Sequence, residues 1–239
     1  MNIIKSVTVL ALCLSCGHLS AQETPFKLGV RLGGGISVTT GLDKILVPED
    51  YYSNYNFKDK WQLTPTVGVF AQYHVDGSII GVEGGFSYWQ KASQLVYNDN
   101  KELNYKVTPR YNYIGVSALL KIYPWRKGFN ISIGGRAGAN LNSKGISYDS
   151  NQEDSKFANY HFATVDETER LMKEKLTGQP DIAVGGGFGY EIGKHWNIDL
   201  RYFLGLNSTI KTERNDYNWA EHSTYGQNIE LSISYLFKL

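Results

Sequence analysis

The residues best suited to chemistry are thinly spread along this chain. Asp149-Ser150-Asn151-Gln152-Glu153-Asp154 offers oxygen donors at the spacing of a calcium loop. Such a loop needs glycine at its sixth position and a bidentate glutamate at its twelfth. Here those positions hold Asp154 and Tyr160, so the segment reads as a solvated loop. His222 stands between Glu221 and Ser223, the residue types of a nucleophile, its base and an orienting acid. Adjacent loop residues seldom converge on one reacting atom, because such groups are assembled from separate segments. His74, His161 and His195 are scattered. The runs Gly33–Gly35 and Gly185–Gly187 are not followed by helical sequence, as a phosphate cradle requires. Neither Gly-x-Ser-x-Gly nor His-Glu-x-x-His occurs. The expectation is therefore no catalytic residue, no cofactor and no metal.

The first 21 residues read as a secretory leader. Lys5 precedes an apolar run from Val7 to Cys16, and the small pair Ser20-Ala21 stands before Gln22. Both cysteines, Cys13 and Cys16, fall inside it, so cleavage after Ala21 leaves no thiol for a disulfide, a metal or a nucleophile. The rival reading makes Cys16 a lipidated residue after Leu14-Ser15, with Cys13 where an aliphatic residue is the usual preference. Residues 22–239 suit one domain. Lys5 is the only leader charge, so the 24 basic and 23 acidic residues of the whole chain balance once it is removed. That balance argues against a nucleic-acid partner, which needs a basic surplus.

Strict alternation dominates after residue 25 and marks strands with two unlike faces. Phe26, Leu28, Val30 and Leu32 alternate with Lys27, Gly29, Arg31 and Gly33. The pattern recurs over about Thr66–Val75, Ile80–Tyr88, Ile114–Tyr123, Phe129–Leu141, Ile182–Ile192, Trp196–Leu206 and Asn228–Leu239, giving eight strands. Short connections such as Asp76-Gly77-Ser78 alternate with long ones at Ser37–Lys60, Lys91–Lys106, Asn142–Asp181 and Ile210–Gln227. An up-and-down path puts every short turn at one rim and every long loop at the other, as in transmembrane barrels. Aromatics gather at both ends, with Tyr73, Tyr123, Trp125, Phe129, Tyr190, Trp196, Tyr235 and Phe237 toward the short turns. Trp61, Tyr88, Trp89, Tyr111 and Tyr113 fall toward the long loops.

A soluble barrel of lipocalin type alternates too, but turns its apolar residues inward around a ligand. The opposite face decides the matter. It mixes glycines with Lys27, Arg31, Glu83, Lys121, Arg136, Glu191, Asp199, Arg201, Glu230 and Lys238. Glycines on a solvated face only weaken strands, whereas inside a narrow barrel they relieve crowding. Within the longest loop, Thr164 and Glu167 match a capping box. Val165, Thr168, Met172 and Leu176 share one face of the helix it starts, and Gly178 and Pro180 end it. This helix is expected to fold over the rim as a lid.

The Gly-rich first strand Lys27–Gly35, the fourth strand Tyr113–Tyr123 and the closing Ser234-Tyr235-Leu236-Phe237-Lys238-Leu239 resemble the PorT-like eight-stranded outer-membrane barrels of Bacteroidetes. The leader ending Leu19-Ser20-Ala21-Gln22 fits the same resemblance. It implies a Gram-negative outer-membrane location, and its name points to protein secretion; no functional residue transfers with it. The fold class expected is all-β: a monomeric, eight-stranded, antiparallel, up-and-down transmembrane barrel, with short periplasmic turns and long extracellular loops. Its first functional reading is a plugged, non-enzymatic barrel of the cell envelope. Outer-membrane lipids and an extracellular or secretion-machinery protein are its expected partners. The alternatives are a narrow pore or export component and, last, a lipid-modifying enzyme built on His222 and Ser223.

Overall fold

The computed structural model describes residues 25–46, 57–98, 103–126, 128–153, 163–214 and 219–238. The leader, Cys13, Cys16, Asp154, Tyr160 and His161 lie outside the described residues. The elements in chain order are β1 (Phe26–Thr40), α1 (Leu42–Leu46), β2 (Phe57–His74), β3 (Ile80–Asn98), β4 (Asn104–Ile122), β5 (Phe129–Asn140) and β6 (Ile146–Ser150). Then follow α2 (Val165–Lys175), β7 (Leu176–Gly178), β8 (Asp181–Ile192), β9 (Trp196–Gly205), β10 (Ile210–Thr212) and β11 (Tyr225–Lys238).

Eight of these strands pair in the ring β1-β2-β3-β4-β5-β8-β9-β11 and back to β1, every pair antiparallel. Closure gives each backbone amide and carbonyl of the ring a partner, which a bilayer cannot supply. No helix among the described residues is long and apolar enough to cross a membrane. At the short-turn end, Gly77 and Gly193 take φ of 78° and 63°, a region open to glycine at no steric cost.

The two faces divide as the alternation predicts. Val30, Leu32, Val69, Phe86, Val116, Ile133, Phe188 and Leu231 are exposed on the outer wall, while Arg31, Gln72, Glu83, Lys121, Asp199, Arg201 and Glu230 are buried inside. Ile114 to Tyr123 spans roughly 23 Å at about 3.3 Å per residue and a tilt near 40°, close to the ~25 Å apolar band of such barrels. Tyr73, Trp125, Tyr190, Trp196 and Phe237 ring its lower edge as exposed aromatics.

Above the band the strands depart from expectation. β3 and β4 each run 19 residues, and β2 runs 18, against 12 for β5 and β8 and 10 for β9. Lys91–Lys106 is thus mostly strand rather than loop. β1 also reaches Thr40, and β2 begins at Phe57, inside the expected loop Ser37–Lys60. The cause is a reversal of the apolar face. In β4, apolar residues point outward at Ile114, Val116 and Leu120 but inward at Val107, Tyr111 and Tyr113. In β3 the change falls between Tyr88 and Trp89, which pair with Ile114 and Tyr113. Below this level the outward side is apolar; above it the outward side is polar. Trp89, Tyr111 and Tyr113, expected in the outer aromatic ring, are therefore about 1% exposed and turned inward. Tyr123 is also buried rather than in the lower ring.

The protruding strands enclose a second core. Leu42 and Ile45 of α1 pack with Trp89, Leu95, Val107, Tyr111, Tyr113, Ile146, Met172, Leu176 and Ile210. β6 extends the sheet from β4, and β7 pairs with β10 beside α2. Through Ile146, Met172, Leu176 and Ile210 these segments form a roof against the inward side chains of upper β3 and β4.

Candidate functional site

The inward residues meet in three layers. At the short-turn end, the His74 and Tyr123 rings stack 3.8 Å apart. The Tyr123 hydroxyl and Gln72 Nε2 donate to Glu191 Oε1 at 2.6 and 2.8 Å. Lys27 lies 3.6 Å from the same carboxylate. The middle layer centres on Glu83, which pairs with Arg31 at 2.8 Å, Lys121 at 3.0 Å and Arg201 at 3.0 Å. Asp199 lies 3.1 Å from Arg201 and 3.4 Å from Arg31. The Arg31 guanidinium also covers the Phe70 ring at 4.3 Å. A side chain at Gly29 would collide with that ring, so glycine is needed there.

The upper layer centres on Asp181. Lys91 Nζ donates to it at 2.6 Å and Trp89 Nε1 at 2.9 Å, and Arg136 lies 3.4 Å away. Arg136 pairs with Glu230 at 3.1 Å and lies between the Trp89 and Phe203 rings. The alternation put Arg31, Glu83, Lys121, Arg136, Glu191, Asp199, Arg201 and Glu230 on this face. It missed Lys91 and Asp181, which stood at the ends of expected loops. For Lys91 the signal is the same reversal that made Lys91–Lys106 read as loop; Asp181 only extends the inward face of Ala183 by one step, opposite Ile182. Between Arg31, Arg136, Arg201, Phe203 and Glu230 a cavity of about 20 Å³ remains, room for about one water.

Beside β6 and β7, helix α2 forms as its capping box predicts. Thr164 Oγ1 accepts from the Glu167 N–H, and the Glu167 side chain accepts from the Thr164 N–H. Met172 and Leu176 are buried under it. The helix ends at Lys175, before Gly178 and Pro180, because Leu176 turns into β7. Glu169 ties the helix to the sheet edge, accepting from the Tyr148 N–H at 3.0 Å. The Lys173 ammonium and that bond lower its carboxyl from its ordinary value. Burial pushes the Tyr148 phenol up.

The remaining candidates find ordinary partners. Asp149 lies on β6 and pairs with Lys106 at 3.6 Å. His195 Nδ1 lies 3.0 Å from the Leu236 carbonyl, and His74 Nε2 lies 2.9 Å from that of Ser78. No hydrogen bond among the described residues joins Ser223, His222 and Glu221. Gly33–Gly35 and Gly185–Gly187 are strand interior. No cluster of three or more potential metal ligands occurs among the described residues.

The outer membrane protein beta-barrel domain matches over residues 9–237. The chain belongs to this family. It is thus an outer-membrane β-barrel with its apolar wall in lipid. No curated protein matches the chain. Solved structures similar to it include Neisserial surface protein A, at 11% identity and a TM-score of 0.43, covering 90% of this chain and 98% of that one. OprG from Pseudomonas aeruginosa is 14% identical with a TM-score of 0.39, covering 93% and 100%. Ail, the attachment invasion locus protein of Yersinia pestis, is 11% identical with a TM-score of 0.37, covering 88% and 98%. In this outer-membrane barrel the buried charges are engaged with one another, an arrangement that holds walls together.

Proposed function

We propose that this barrel is non-enzymatic and monomeric, that its own side chains plug it, and that its collar meets an extracellular partner or braces the envelope. Glu83 carries the reading. Its one carboxylate links Arg31 of β1, Lys121 of β4 and Arg201 of β9 across the lumen. An aqueous path would have to part these groups, and a buried charge stripped of its partner costs about 3–5 kcal/mol. The apolar collar core supports the same reading at the upper end. Recordings of the refolded full chain in planar bilayers are expected to show no steady conductance. A steady conductance would overturn the plug and favour transport.

Residues 1–21 are proposed to be removed on export. N-terminal sequencing of the membrane protein should begin at Gln22, and an acylated Cys16 would refute this. Lys27–Gly35 and Ser234–Leu239 support a place among the PorT-like barrels of Bacteroidetes. On that reading the collar's partner is a component of a secretion machine.

A further inference from the structure

The outer side of the tall wall carries cations for which the lumen has no use. Lys58 of β2 pairs in register with Val96 of β3, and Val96 with Lys106 of β4. Lys60 pairs with Gln94, and Arg110 with Ala92. Leu95, Tyr97 and Val107 turn inward to the collar core, so Lys58, Lys60, Lys106 and Arg110 share the opposite, outward face. All four are exposed. Lys58 and Lys60 have no acidic partner among the described residues. Arg110 Nη1 donates to the neutral Gln90 at 2.7 Å, and the acidic partner of Lys106 among the described residues is the exposed Asp149 at 3.6 Å.

The height of this cluster identifies its occupant. Going up β4, the outward residues are Ile122, Leu120, Ala118, Val116 and Ile114, then Asn112, Arg110, Thr108 and Lys106. The change of chemistry falls at Tyr88 and Asn112, joined by a 2.9 Å hydrogen bond. Lipid headgroups begin where the apolar band ends. Lys60 lies two strands away from Arg110 and one outward step above it, about 12 Å, with Gln94 and Ala92 on the strand between them. Long cationic side chains over that span can hold phosphate oxygens by charge-assisted hydrogen bonds.

We propose that the outward face of β2–β4, just above the band, binds the phosphorylated headgroup of an outer-leaflet glycolipid. The acyl chains of that lipid lie below, along Leu63, Phe86 and Val116. The inference rests on the outer-membrane placement and is independent of whether the lumen conducts.

The test is lipid retention by the full chain, extracted in detergent, offered diphosphorylated lipid A and read by native mass spectrometry. The wild type is compared with Lys60→Gln/Arg110→Gln and with the roof control Lys144→Gln/Arg170→Gln. Each variant is first shown to keep its heat-dependent gel mobility. The double variant on the wall is expected to lose about tenfold in retention, the control none, and dephosphorylated lipid A to bind the wild type about as weakly as the double variant binds the intact lipid. Equal retention by wild type and wall variant would overturn the proposal. So would retention that is indifferent to the phosphates. Binding of soluble heparin that is lost in the wall variant while lipid A retention stays unchanged would refute a lipid as the occupant.

Discussion

Glu83 shows how one residue can organise a lumen. It is 3% exposed and faces three cations. Glu83→Gln keeps the volume but leaves Arg31, Lys121 and Arg201 sharing Asp199 and Glu191. The expected cost is about 3–5 kcal/mol, seen as a lower temperature at which the folded, fast-migrating band converts to the slow one. An unchanged conversion temperature would mean that water already solvates the network. Arg31, Glu83, Lys121 and Arg201 were legible in the sequence because each is a charge on the face opposite the alternating apolar residues. Lys91 and Asp181 were not. Lys91 has the apolar Trp89 and Leu95 on its own face, so the alternation locates no wall there, and Asp181 stands at the very first position of β8.

The same reversal explains what was legible among the elements. A period-2 pattern identifies a strand only while both of its surroundings stay constant. In β3 and β4 the outer surroundings change from lipid to water at Tyr88 and Ile114, the pattern shifts by one residue, and the upper halves read as loop. Helix α2 was legible because its signals are local: the Thr164–Glu167 cap and the spacing of Met172 and Leu176. Thr164→Ala should destabilise α2 by about 1 kcal/mol, measured as faster amide exchange over 165–175 with the barrel strands unaffected. Docking of α2 also carries a pH dependence through Glu169. Its carboxyl is lowered in the folded state, so its contribution is complete above the ordinary carboxylate range and fades as pH falls through the lowered value. Exchange at the Tyr148 amide should rise on acidification in the wild type and be insensitive to pH in Glu169→Gln, after correction for intrinsic rates.

The whole molecule is two cores stacked along one set of strands, one facing inward as polar groups and the other as apolar ones. They are expected to fail separately. Trp89→Ala removes a ring that stacks on Tyr113 at 5.9 Å and donates to Asp181. A loss of about 3–5 kcal/mol is expected for such a truncation, concentrated in the collar. Limited proteolysis should then cut within α2 while the unboiled band still migrates fast; simultaneous loss of both would show a single cooperative unit. The unequal strand lengths have a geometric consequence of their own. With β2–β4 standing high and β5, β8 and β9 ending low, the barrel is not rotationally equivalent about the membrane normal. It has a front and a back. In a crowded membrane, neighbours approaching from different azimuths meet a basic palisade on one side and a low flank on the other, so contacts among such molecules acquire a heading as well as a depth.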